Sequence, residues 1–326
     1  MQRPKPHAAR IPKPADPFGR REPLPWQCPK PLQDDPQARE RVEAILASPS
    51  YRRADADLDF LARDDMRGVR LQIDYFKPEL LFEEHRIVDT IVVFGSTRIC
   101  EPEAARRKAD LLKAALAADP NNGDLARQLA IAGRVLAKSR YYEVARQFGQ
   151  LVSLSEQRPN GRLVIVTGGG PGIMEAANRG AFDAQAKSVG LNISLPHEQY
   201  PNPYVTPDLC FNFHYFAMRK LHFLLRAKAL VAFPGGYGTF DELFEVLTLV
   251  QTRKIKPMPV ILVGETYWRR AVDVDFLVEE GVIDREDREL FWFAETAEEI
   301  WNGILHWYSM KGEPLLVADS ASAAPF

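Results

Sequence analysis

The stretch Pro234-Gly235-Gly236-Tyr237-Gly238-Thr239-Phe240-Asp241-Glu242 places three glycines, a hydroxyl and carboxylates in one short run. An apolar strand, Ala229 to Phe233, leads into it, and Phe240, Leu243, Phe244, Val246 and Leu247 continue it at helical spacing. Glycines leave backbone N–H groups bare, and a helix N-terminus adds partial positive charge, so the pattern suits a phosphate. Thr239 offers a hydroxyl, and Glu242, one turn in, is placed to face whatever the phosphate anchors. A capping box, Thr239-x-x-Glu242, would account for those two residues but not for Gly235, Gly236 and Gly238. The anion site is the better reading.

Further chemistry sits at other strand ends. The strand Leu163 to Thr167 runs into Gly168-Gly169-Gly170-Pro171-Gly172 and then a helix from Ile173 to Ala181. These glycines either permit close strand–helix packing or form a second wall of the pocket. On the second reading Gly169 and Gly170 contact the ligand and Glu175 points at its hydroxyls. Gly95-Ser96-Thr97-Arg98 closes another strand, making Ser96 and Arg98 candidate ligand contacts. Arg219 and Lys220 follow an aromatic lead-in, and as neighbours on a helix they diverge, so one of them at most faces a given pocket. Arginine is the better partner for a phosphate or carboxylate. His214 reads as a packing or hydrogen-bonding residue.

The glycine turns are not a dinucleotide fingerprint. Counted from Gly168, the pattern needs glycine at Ile173; counted from Gly170, it needs glycine at Glu175. Nor is there a G-x-x-x-x-G-K-[ST] run. A mononucleotide or sugar phosphate fits better than NAD or ATP.

The elements that must hold these turns are short apolar strands, Thr90 to Phe94, Leu163 to Thr167, Ser188 to Leu195, Ala229 to Phe233 and Met258 to Val263, with Leu209 to Phe213 as a further extended piece. Helical segments alternate with them, which predicts an α/β, Rossmann-like, doubly wound parallel sheet with ligands beyond its carboxyl edge. Helical periodicity is also expected over Pro36 to Leu46 and Leu58 to His85, the latter with Pro78 at a kink or helix start. A charged hairpin, Glu103 to Ala118 and Asp124 to Lys138, is inserted before a helix over Tyr141 to Leu154 and reads as a surface element. Helices are expected over Tyr267 to Glu280, Asp284 to Phe293 and Ala297 to Tyr308. The resulting organisation is a proline-rich disordered tail (1–36), a helical extension (37–88), a nucleotide-binding catalytic domain (89–312, insert about 99–139) and a C-terminal tail (313–326).

Composition removes several classes. With 326 residues, 46% hydrophobic and 26% charged, the chain can bury a large core. A net charge of -2 gives no case for nucleic-acid binding, and the basic N-terminus is interleaved with prolines. Three separated cysteines, Cys28, Cys100 and Cys210, make neither a disulfide framework nor a metal site. No apolar run approaches a membrane span, so no membrane partner and a cytoplasmic location are expected.

Pro234 to Glu242 resembles the PGGxGTxxE signature of the LOG ("lonely guy") family, whose members often carry the label lysine decarboxylase. Phe94 to Arg98, Gly168 to Met174 and Met218-Arg219-Lys220 match the family's other blocks, in the same order. The resemblance covers roughly Thr90 to Gly264. It implies a Rossmann-like homodimer that hydrolyses the N-glycosidic bond of AMP-like nucleoside 5′-monophosphates to free base and ribose 5-phosphate, without a cofactor or metal. It places the catalytic arginine and glutamate on Arg219 and Glu242, and the phosphate loop on Gly235 to Thr239. Cytokinin nucleotides are a candidate substrate, although Glu175, the insert and the long N-terminal region depart from the plant-type enzymes. A non-catalytic nucleotide sensor is the alternative, and a pyridoxal phosphate decarboxylase the remoter one, since no Schiff-base lysine is marked.

Overall fold

The computed structural model describes residues 13–20, 22–24, 30–156, 163–196, 200–313 and 315–316. Much of the expected tail 1–36, and most of 313–326, lies outside the described residues. The chain divides into two units, Met1–Arg67 and Gly68–Phe326, so the break falls inside the stretch expected as a helical extension.

The first unit contains α1 (Ala38–Ala47) and the single turn α2 (Leu58–Leu61). One helix over 58–85 does not form. The Asp57 carboxylate caps α2 by accepting from the Phe60 amide, Arg63 is extended, and the chain is α-helical again only in α3 (Arg67–Glu84). Aspartates at 57, 64 and 65 favour helix starts and turns, and so interrupt an apolar period that continues across them. Pro78 sits inside α3 with its ring buried, not at a helix start.

The second unit is built on β1 (Asp89–Phe94), after which come α4 (Pro102–Ala118), α5 (Gly123–Lys138) and α6 (Arg140–Glu156). Then follow β2 (Leu163–Thr167), α7 (Ile173–Asp183), β3 (Ser188–Ile193), β4 (Cys210–Phe213), α8 (Phe216–Leu225), β5 (Ala227–Ala232) and α9 (Tyr237–Gln251). The chain continues through β6 (Val260–Val263), α10 (Glu265–Ala271), α11 (Val274–Glu279), β7 (Trp292–Ala294) and α12 (Ala297–Met310). All seven strands are parallel, in the order β4-β3-β2-β1-β5-β6-β7. This is an α/β Rossmann-like fold. Both faces are covered, which explains why the central strands read as unbroken apolar runs. Ile91, Val93 and Val231 pack under α6, α7 and α12, while Val92, Phe94 and Leu230 pack under α3, α8 and α9.

Two expected helices are corrected. Over 284–293 the chain forms a 3-10 turn with an Asp284/Asp287 capping box, followed by the edge strand β7. Trp292 and Phe293 pair with Ile261 and Leu262, a use that bulky aromatics on a half-covered strand favour. The helix expected over 267–280 breaks at Val272, and the Asp273 side chain starts α11 by accepting from the Phe276 amide at 3.0 Å.

The chain runs outward from β1 through β2, β3 and β4, then returns to β1's other side as β5. The order therefore reverses between β1 and β5, where the following loops part and leave a crevice.

Candidate active site

The crevice is held open by two short loops bonded to each other. Phe94 pairs with Ala232, the Phe233 amide donates to the Phe94 carbonyl at 2.8 Å, and the Ser96 amide donates to the Pro234 carbonyl at 3.0 Å. Beyond them lies a cavity of about 670 Å³. Its walls include Ser96, Arg98, Arg219, Gly235, Gly236, Gly238, Thr239 and Glu242.

Gly236 is the N-cap of α9 and brings no capping side chain. The amides of Tyr237 and Gly238 therefore enter the helix without an intrahelical partner. A Cβ at Gly236 or Gly238 would meet nothing within 4 Å, so this stretch is open to an incoming ligand. Gly235 differs: a Cβ there would stand 2.1 Å from Thr239 Oγ1, and glycine lets the threonine tuck beneath the turn. The Tyr267 hydroxyl donates to the Gly235 carbonyl from α10 and braces the turn from outside.

Arg219 enters from α8, whose position α3 fixes. The Asp74 carboxylate accepts from the His214 and Tyr215 amides at 3.0 and 2.8 Å, and Arg226 grips Glu79 through two bonds of 2.6 and 2.9 Å. Arg219 Nε donates to the Leu191 carbonyl at 2.7 Å, and its guanidinium lies 5.1 Å from the Phe223 ring centre. Burial lowers its pKa, while the charges of Glu242 and Asp241 act the other way. An arginine keeps its proton under such a shift. Gly168 makes its berth, because a Cβ there would sit 2.7 Å from the guanidinium.

Glu242 is 5% exposed, and its carboxylate accepts no hydrogen bond from the described residues. Burial pushes its pKa up to about 7, against the pull of Lys220 and Arg219. A buried carboxyl without a side-chain hydrogen bond, in a cavity that also holds the half-buried Arg219, is a candidate for acting on a ligand.

Comparison with known proteins finds the following similarities. A family model described as "Possible lysine decarboxylase" matches residues 174–304. A cytokinin riboside 5′-monophosphate phosphoribohydrolase of Arabidopsis thaliana is 29% identical over 167 residues, 50% of this chain and 74% of that protein. One from Oryza sativa subsp. japonica is 28% identical over 166 residues, 50% of this chain and 65% of that protein. Over about half its length this chain is similar to the LOG proteins. Among solved structures, the Moco carrier protein from Chlamydomonas reinhardtii aligns at 17% identity with a TM-score of 0.39, over 68% of this chain and 98% of that one.

Not every residue singled out from the LOG-like blocks reaches the cavity. Lys220 turns aside to Asp241 and Glu245, at 2.8 and 2.9 Å. Glu175 lies off the cavity and accepts from the Tyr142 hydroxyl at 2.8 Å. Gly169 and Gly170 also stand outside it. The Gly169 amide donates to Thr167 Oγ1, and both glycine carbonyls accept from Asn202. Met174, beyond this turn, does line the cavity.

Conversely, the hairpin expected to lie on the surface contributes a wall. Ile131, Arg134, Val135 and Lys138, one face of α5, line the cavity, as do Phe216 and Tyr267. The signal for α5 was present in the sequence. Arg134 and Lys138 share a face with two apolar residues and have no acidic residue three or four positions away. No described helix is long and apolar enough to cross a membrane.

Proposed function

We propose that this chain hydrolyses the N-glycosidic bond of AMP-like nucleoside 5′-monophosphates, giving free base and ribose 5-phosphate. One observation carries the reading. An open helix N-terminus suited to a phosphate and a buried, partnerless Glu242 one turn behind it face the same cavity as Arg219. The names of the LOG relatives, phosphoribohydrolases of a nucleoside monophosphate, support the same chemistry.

The phosphate binds at Gly236 to Thr239, with Ser96 and Arg98 across the crevice. Breaking the bond between C1′ and the base nitrogen builds positive charge on the ribose ring. Ionised Glu242 stabilises that charge and orients the water whose oxygen bonds to C1′, while the base leaves with a proton. Arg219 holds the phosphate or keeps Glu242 in place, and its own seat is fixed by Leu191, Phe223 and Gly168. Preorganised charge of this kind accelerates the reaction because it needs no rearrangement as charge develops.

The test is incubation with a panel of nucleoside monophosphates, cytokinin nucleotides included, scored for free base by chromatography. Base release from AMP by the wild type, abolished in Glu242→Gln, is the expected result. AMP binding by calorimetry with no base released would make the protein a nucleotide sensor. The exposed apolar residues Val69, Ile73, Phe76 and Leu80 along α3 support a homodimer, which light scattering would register as twice the chain mass. A cytoplasmic location belongs to the same proposal.

A further inference from the structure

A second cavity, of about 480 Å³, adjoins the first and shares Lys138 and Tyr267 with it. The shared wall is the outer side of the phosphate turn, because Tyr267 is the residue whose hydroxyl donates to the Gly235 carbonyl. Arg140, Tyr141, Thr266 and Arg270 complete the polar lining of this annex, and among the described residues no carboxylate lines it.

The charges there are unevenly met. Arg140 has a carboxylate, Glu295, at 2.7 Å, and that same Glu295 also accepts from the Tyr141 hydroxyl and the Glu265 amide. Arg270 has no ion-pair partner among the described residues, and the Lys138 ammonium donates only to the Arg134 carbonyl, at 3.3 Å. On the main-cavity side, Arg98 and Arg134 are likewise without carboxylates. Cations left uncompensated along connected concave walls raise the local concentration of anions. A nucleoside monophosphate with its single phosphate on the turn would leave Lys138 and Arg270 unmatched.

Building on the phosphate-turn reading above, we propose that the annex is a second phosphate subsite. Its occupant is a phosphate group lying just past the one on the turn, either the terminal phosphate of a nucleoside 5′-diphosphate or a free phosphate bound beside the monophosphate. Lys138 spans the two positions, and Arg270 serves the outer one alone. The inserted hairpin, whose last turn carries Lys138, is then part of the specificity of the site.

The experiment is calorimetry on the full chain with AMP, with ADP, and with inorganic phosphate added to AMP-saturated protein. Wild type is expected to bind ADP at least as tightly as AMP. Arg270→Gln should weaken ADP about tenfold, the effect of one lost charge-assisted contact, and leave AMP within about twofold, whereas Arg270→Lys restores most of the difference. If the Arg270-dependent signal comes from added phosphate on AMP-saturated protein, the subsite stands and its occupant is the free anion. Equal affinities for ADP in wild type and Arg270→Gln, together with no phosphate signal, would overturn the proposal. An unchanged melting curve excludes misfolding of the variant. Because these readouts need no turnover, failure to release base from AMP would count against the hydrolase reading and leave this one standing.

Discussion

Two turns in this molecule have nearly the same composition and do opposite work. Gly168 to Gly172 and Gly235 to Gly238 each join a buried strand to a helix at the carboxyl edge of the sheet. In the first, glycine serves proximity. A Cβ at Gly169 would stand 1.9 Å from Asn192 Oδ1, and one at Gly172 would stand 2.4 Å from the Ser96 carbonyl oxygen. Its polar groups are spent inside the protein, on Thr167 and Asn202. In the second, Gly236 and Gly238 have empty space around them and amides without partners. Glycine count alone therefore does not identify a binding turn. What separates the two is whether a missing side chain is replaced by protein or by a void.

The comparison can be broken at several points. The largest effect belongs to the open turn: Glu242→Gln should cut base release from AMP on the order of a hundredfold or more, measured as kcat under saturating substrate. Because Glu242 must be ionised to act, the wild-type rate should rise with pH through about 7, and the variant should lack that rise. The same shift has a stability consequence. The folded protein holds a proton on Glu242 at pH values where an unfolded glutamate has lost it, so stability falls as pH climbs from about 4.5 to 7. Glu242→Gln removes that dependence, on the order of 3 kcal/mol across the window, which denaturant titrations at pH 5 and pH 8 would reveal.

Next comes the closed turn. Gly172 has φ of 76°, and an alanine there meets the Ser96 backbone. Gly172→Ala should cost about 3 kcal/mol from left-handed strain and overpacking, read as a lowered Tm. Gly238→Ala tests the opposite expectation. Stability should hold or rise by about 0.5–1 kcal/mol, since alanine is the better helix former, while KM for AMP rises severalfold as the methyl covers the amides. Loss of stability at 238 with unchanged KM would erase the distinction between the turns. The smallest effect is expected at Glu175→Gln, which weakens one bond to Tyr142. It should cost about 1 kcal/mol and leave KM for AMP unchanged.

Much of this was legible in the chain itself. Strands buried on both faces announce themselves as unbroken apolar runs, which is why Ile91 to Phe94, Leu163 to Thr167 and Leu230 to Phe233 stand out. The convergence of Ser96, Arg219 and Glu242 on one cavity followed from the parallel order, because strand ends at one edge must meet there. Other features depended on distant partners. β7 is three residues long, follows a charged helix-like stretch, and becomes a strand because β6 offers it an edge. Glu175 lies on the same helix as Met174, yet its neighbour Tyr142 comes from α6, and that contact decides which way the carboxylate turns. The α5 wall was missed for a related reason: helical periodicity identifies a face but does not say what the face will cover.

The bond between the Ser96 amide and the Pro234 carbonyl has a bearing on how the molecule comes into being. It joins two loops separated by most of the second unit, and β1 waits for β5 through the emergence of β2, β3 and β4. Until that late pairing closes, neither half of the crevice has its opposite wall. Such long-range closure is slow relative to local helix formation. A nascent chain ending before Ala227 would already carry three of the sheet's strands beside β1 and still lack the second wall of the crevice. The cavity is therefore complete only once the sheet becomes two-sided about β1, and any ligand bound across it would act as a clasp on that seam.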